Sequence, residues 1–208
     1  MTIKIEHVLP EEIEKRSFEI ITKELGDIRL EEDKAGIIKR VIHTTADFDY
    51  VQSLCFSDEV VSKARKAIKN GASIVTDTRM ASVGINAKML ESYGGKVYCF
   101  MADEDVARKA KQEGTTRASA CMEKALTIDG PLIFAIGNAP TALIKLSELI
   151  KENKITPELV IGVPVGFVNV VESKEIIMEA GVPYIVAQGR KGGSNVAAAI
   201  CNALLYGM

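Results

Sequence analysis

Histidine is nearly missing from this chain: His7 and His43 are the only two in 208 residues. A metal centre of ordinary spacing needs several His or Cys ligands close together, and neither histidine has such neighbours. The four cysteines, Cys55, Cys99, Cys121 and Cys201, form no CxxC pair. Cys99, Cys121 and Cys201 each lie in an apolar stretch, which reads as small buried thiols in a reducing compartment. There is no run of ~20 apolar residues to cross a membrane, and no apolar signal core near the start. No block of five basic residues occurs, and 26 basic against 28 acidic side chains give a net charge of -2. Nothing global therefore points to nucleic acid. The phosphate loops GxxxxGKS/T and GxGxxG and the nucleophile elbow GxSxG are also absent. The expectation is a soluble, cytoplasmic protein with no resident metal.

What is present is an ordinary globular composition, 47% hydrophobic and 26% charged. A chain of this length can bury ~70% of its unfolded surface in one large domain. A first helix is expected from Pro10-Glu11-Glu12 to Gly26. Its apolar arc comprises Ile13, Phe18, Ile20, Ile21 and Leu25, with Ser17 inside it. A hydroxyl there either bonds back to its own helix or faces a polar pocket. A second helix is expected from Glu31 to about His43, with Arg40 and His43 on one face near its end. A third runs from Ser57, a suitable N-cap, to Asn70-Gly71.

From residue 72 short apolar runs alternate with helical patterns. The strand candidates are 72–76, 96–101, 131–136, 159–163 and 183–187. Helices are expected near 84–92, 104–126, 139–153, 169–180 and 194–206. Strands separated by helices predict an α/β fold of three layers, α/β/α, around a mostly parallel sheet of about five strands. Residues 1–70 form an N-terminal helical cap on the 71–208 core, and 1–208 form one domain.

In open parallel sheets ligands bind beyond the carboxyl ends of the strands. Those ends are polar or glycine-rich here: Thr76-Asp77-Thr78-Arg79, Gly137-Asn138-Ala139-Pro140, Gly162-Val163-Pro164-Val165-Gly166-Phe167 and Gly189-Arg190-Lys191-Gly192-Gly193-Ser194-Asn195. The last leads two cations and three glycines into a helix capped by Ser194. That suits a phosphate or carboxylate at the helix start, or else a tight turn with solvated charges. Thr76, Asp77, Asn138 and Ser194 are candidate polar contacts. His43, without metal or triad partners, is left with general acid–base work or a structural place.

The string Arg40-Val41-Ile42-His43-Thr44-Thr45-Ala46-Asp47-Phe48 closely resembles the signature of the precorrin-8X methylmutase family of cobalamin biosynthesis. The resemblance continues through Asp77-Thr78-Arg79-Met80, Gly84-Ile85, Gly137 to Leu143, Gly162 to Val168, Glu172-Ser173-Lys174 and Gly189 to Ser194. It spans nearly the whole chain. It implies an isomerase that moves a methyl group between adjacent ring-C carbons of precorrin-8 or cobalt-precorrin-8. The product is hydrogenobyrinate or cobyrinate. No cofactor is implied, because the rearrangement is internal. His43 matches the histidine that protonates the ring as the methyl migrates. Ser17 and Arg40 match positions that contact the substrate. The ring carries acetate and propionate arms, and each carboxylate favours a cation or a helix start. Arg79, Arg117, Arg190 and Lys191 are therefore added as candidate clamps. A homodimer with sites near its interface is expected, and the short chain favours the cobalt form of the substrate. A non-catalytic tetrapyrrole carrier is the rival reading, and it has no need of His43. A nucleotide-binding protein, suggested by Gly189–Ser194, is a third.

Overall fold

A computed structural model of the protein describes residues 5–208. After a single 3-10 turn at Pro10–Glu12, helix α1 spans Ile13–Leu25 and stops at Gly26, whose φ of 57° few other residues adopt. Helix α2 spans Glu32–Thr45 and ends on Ala46 in the left-handed region. Next come α3 (Tyr50–Ser53), strand β1 (Leu54–Phe56), α4 (Val60–Lys69) and β2 (Ser73–Thr76). Then follow α5 (Arg79–Gly84), α6 (Ala87–Ser92), β3 (Val97–Tyr98), α7 (Glu104–Gln112) and α8 (Arg117–Lys124). The chain closes with β4 (Leu132–Ile136), α9 (Pro140–Lys151), β5 (Leu159–Gly162), α10 (Val170–Met178), β6 (Tyr184–Ala187) and α11 (Ser194–Tyr206).

The sheet has six strands in the order β1-β6-β5-β4-β2-β3. Five are parallel, and β1 is antiparallel to β6, pairing Leu54 with Ala187 and Phe56 with Ile185. The α/β class and the parallel sheet stand as expected, with one strand more. β1 escaped the sequence because three residues carry too little alternation to register. Ser57 does not cap α4. Its Oγ accepts the Tyr184 N–H at 3.0 Å and its own N–H donates to the Tyr184 carbonyl, so it prolongs the β1–β6 pairing. The helix expected over 104–126 is broken at Gly114, where φ is 63°, and restarts on Thr116, whose Oγ1 accepts the Ser119 N–H.

Alternate strand residues feed two apolar layers. Ile74, Ile133, Ala135, Ile161 and Ile185 face α4, α5 and α11, while Val75, Phe134, Ile136, Val160 and Val186 face α7 to α10. The N-terminal helices cap the first of these layers from outside. α2 lies along α11, and Ile37, Ile38, Val41 and Ile42 are buried in the same apolar cluster. That packing leaves His43 exposed on the far side of α2, with Arg40 half-buried beside it.

The strand order reverses between β2 and β4: β2 leads outward to β3, and β4 leads the other way to β5. This is the switch point at which doubly wound folds open a crevice for ligands.

Candidate active site

Two territories carry the polar chemistry. The first is a cleft of about 250 Å³ between α1 and α2, lined by Ser17, Ile20, Ile21, Ile42, His43 and Phe48 among others. Ser17 does two things at once. Its hydroxyl donates back to the Ile13 carbonyl at 2.9 Å, yet the residue still borders the cleft. His43 is exposed, and its ring lies 5.5 Å from that of Phe18 at a tilt of 34°. Three residues earlier, the Arg40 guanidinium is sandwiched between Phe18, at 5.2 Å, and Tyr206, at 4.9 Å. Its Nη2 donates to Glu14 Oε1 at 2.6 Å. Aromatic faces hold a guanidinium by charge–quadrupole attraction and fix its plane. Sequence reasoning placed Phe18 only in the apolar arc and passed over Glu14 and Tyr206. The spacing from Glu14 to Phe18, four residues on one helix face, is the signal that was available.

The second territory is the carboxyl edge of the sheet. At the switch point Asp77 turns inward. The carboxylate is buried and accepts the N–H groups of Gly137 at 2.9 Å, Asn138 at 2.8 Å and Ala139 at 2.6 Å. These are the donors at the start of α9 that a ligand anion would otherwise meet. Burial pushes the Asp77 carboxyl above its usual range, and the three donors pull it back down. Thr76 is also buried, its hydroxyl within hydrogen-bond distance of the Thr78 and Tyr98 carbonyls. Ser194 does not cap α11: Gly193 holds the cap position, and Ser194 Oγ pairs with Thr78 Oγ1 at 2.8 Å. Thr76, Asp77 and Ser194, expected as ligand contacts, thus bond within the chain: Thr76 ties β2 to β3, Asp77 ties the end of β2 to the turn between β4 and α9, and Ser194 ties α11 to the segment after β2. Gly137 permits this closeness, since a Cβ there would come within 2.6 Å of the Ser194 Cα.

The glycines of the 189–193 loop likewise serve the chain itself. A Cβ on Gly192, whose φ is +158°, would collide with the Val163 carbonyl, and the Gly193 N–H already donates to that oxygen at 2.9 Å. The tight-turn reading therefore accounts for the glycines without a phosphate. Lys191 is not a free clamp. Its ammonium binds Asp47 and Asp49, each at 2.6 Å, and so ties the loop to the turn that follows the His43 helix. Both carboxylates push its pKa upward.

Arg79, Arg117, Asn138 and Arg190 are exposed along this edge. Arg117 begins α8 one residue after Thr116, whose hydroxyl meets that of Thr141 at the start of α9. Arg190 stands 5.4 Å over the ring of Phe167, which is 81% exposed. Met80, Val83, Val165 and Val168 are exposed close by in sequence. Cations set among exposed apolar groups suit a ligand with a flat apolar body and a charged rim. Among the described residues no group of three or more His, Cys, Asp or Glu side chains could hold a metal ion, and no helix is long and apolar enough to cross a membrane.

A doubly wound α/β frame, a histidine open to an apolar cleft and cations along the sheet edge are the features of a small-molecule enzyme. Residues 12–207 match the family model described as precorrin-8X methylmutase. Cobalt-precorrin-8 methylmutase of Priestia megaterium is 46% identical over 197 residues, covering 95% of this chain and 88% of that protein. Its counterpart in Salmonella typhimurium is 44% identical and covers 95% of each. The crystal structure of precorrin-8X methylmutase from Thermus thermophilus superposes with a TM-score of 0.85 at 39% identity, covering 94% of this chain and 96% of that one. The chain belongs to the precorrin-8X methylmutase family, isomerases of cobalamin biosynthesis that work by methyl migration.

Proposed function

We propose that this protein converts cobalt-precorrin-8 to cobyrinate by moving one methyl group between adjacent ring-C carbons, with His43 as general acid. Both curated relatives described above are named for the cobalt form of the substrate, which supports that form here. The observation that carries the proposal is the exposed His43 imidazole on the rim of the Ser17 cleft, against Phe18 and one turn from the held Arg40 guanidinium.

Three tasks fall to the chain. It seats the ring on apolar surface, with Ser17 against the macrocycle. It clamps the carboxylate arms with Arg40, Arg79, Arg117 and Arg190, while Asn138 supplies a neutral contact. It lends a proton to the ring system while the methyl is in transit. An isomerisation gains and loses no atoms, so the donated proton must leave the ring again before release, and His43 takes it back. Lys191 acts indirectly, by tying the Arg190 loop to the segment after His43. The working unit is the whole chain as one domain, located in the cytoplasm and paired as a homodimer with its sites near the interface.

His43→Ala tests the proposal. Loss of a positioned general acid costs ~100- to 10,000-fold in turnover. Absorption spectroscopy on cobalt-precorrin-8 should show that loss while the variant still binds the ring. Wild-type turnover in His43→Ala removes the acid role. A spectral shift that stops at one equivalent in the unaltered protein points to a carrier instead.

A further inference from the structure

The 189–193 loop contains one more feature, and it lies underneath. Lys174 of α10 is 1% exposed, and its Nζ donates to the Gly189 carbonyl at 2.7 Å and the Lys191 carbonyl at 2.9 Å. Both acceptors are main-chain carbonyls. The carbonyl between them, that of Arg190, accepts the Gly166 N–H at 3.2 Å. Three successive carbonyls of the loop are thus all held, two of them by one ammonium. The Lys191 side chain is held too, by Asp47 and Asp49. What this pinning leaves projecting is the Arg190 guanidinium, over Phe167.

We propose that Lys174 is the positioning residue of this loop, fixing the backbone from which Arg190 reaches the carboxylate arms of the substrate. The inference rests on the clamp role given to Arg190 above. Its physical basis is the cost of keeping a cation in a dry place. Burying a charge without a carboxylate partner is unfavourable, and a methionine would fill the same volume at no such cost. The ammonium is worth that cost only if its donors do something, and here they satisfy two carbonyls that otherwise point into the protein. A neutral residue would leave the turn free to rotate those carbonyls toward solvent, and Arg190 would swing with them. A small cavity lined by Val171, Glu175, Met178 and Gln188 borders Lys174, so a substituted side chain has room to settle.

Lys174→Met removes the donors and keeps the bulk. Hydrogen exchange on the unliganded full-length protein should show the amides of 189–193 exchanging about tenfold faster, with β5 and β6 unchanged. In steady-state assays KM should rise about tenfold while kcat stays within about twofold, the signature of lost binding rather than lost chemistry. Because Lys174 acts through Arg190, the double variant with Arg190→Ala should bind no worse than Arg190→Ala alone. If Lys174→Met does not fold, Lys174→Gln, which keeps one amide donor, should show the same changes at smaller size. Unchanged loop exchange, or KM effects of Lys174→Met and Arg190→Ala that multiply, overturns the proposal. A wild-type KM in Arg190→Ala, in a protein that still turns over cobalt-precorrin-8, removes the clamp and this inference with it. Failure of the unaltered protein to turn over the ring strikes the proposed function instead, and is seen separately from the exchange result.

Discussion

Arg40 shows how much a single residue's surroundings add to its name. The sequence marked it as a clamp beside His43, and the structure gives it two aromatic walls and an occupant. Glu14 accepts from the Arg40 Nη2, the donor that the proposed clamp would offer a substrate carboxylate. The Glu14 side chain is 61% exposed, so its hold on Arg40 is screened and worth ~1 kcal/mol at most. An incoming acetate or propionate arm must displace it. Glu14→Gln should therefore lower KM by up to about fivefold, since ~1.4 kcal/mol corresponds to a factor of ten, and leave kcat unchanged. A raised KM would mean that Glu14 steadies Arg40 instead of competing for it. Lys174 makes a residue-scale prediction of another kind. Burial lowers its pKa from 10.5 to about 8. Between those values the unfolded chain holds the proton and the folded chain does not, so stability rises with pH across that window. Below about pH 8 the full cost of the buried charge is present. Urea unfolding at pH 7.5 and pH 10 should show the wild type gaining a few kcal/mol relative to Lys174→Met. The comparison with that variant is needed because the buried thiols of Cys121 and Cys201, pushed up to about 12, bend the curve the opposite way at high pH.

Among elements, the end of β2 is joined to the turn between β4 and α9 by the chain's own carboxylate. The sequence made the polar strand ends legible, but not the direction in which their side chains turn. Asp77 follows β2 by one residue, and its partners lie 60 to 62 positions further on. No local pattern encodes such a contact, so the sequence alone turns Thr76, Asp77 and Ser194 toward a ligand. β1 was missed for a related reason, since it is defined by pairing with β6 about 130 residues away rather than by its own three side chains. The long helices, by contrast, advertise themselves through their periodicity, and the alternation of strands with helices gave the layers. Asp77→Ala would leave the buried Gly137 N–H and the part-buried Asn138 and Ala139 N–H groups without their acceptor, together costing about 3 kcal/mol. Thermal unfolding should shift down by roughly 10 °C, at the ~2–4 °C per kcal/mol usual for a chain of this size. Because Asp77 points inward, a variant assayed well below its melting point should keep a near-normal KM. A KM raised tenfold with unchanged stability would return Asp77 to the substrate.

On the scale of the whole molecule, apolar surface is unevenly distributed. Val83 is 80% exposed, Phe167 81% and Val168 78%, and Met80 and Val165 join them in the segments after β2 and β5. Such residues scattered singly need no cover, but here five of them fall in two segments, α5 and the turn after β5, that both follow the carboxyl ends of sheet strands. A bound ring would cover part of this surface. The homodimer expected from the family resemblance would cover more, since a stable interface buries ~800 Å² per partner. Sedimentation velocity of the unliganded protein should then give twice the 22.5 kDa of one chain. Val83→Glu combined with Phe167→Glu places a charge in each segment, and a charge buried without a partner costs several kcal/mol at an interface. That pair should drive the mass toward a single chain at micromolar concentration while leaving the melting curve of the separated chains little changed, because neither side chain belongs to the core. Because Phe167 also underlies the Arg190 clamp, KM should rise in either case, and kcat should fall with the dimer only if the site needs both copies. An unaltered protein that sediments as one chain would assign this surface to the macrocycle by itself, and the same double variant would then reveal its effect as a raised KM.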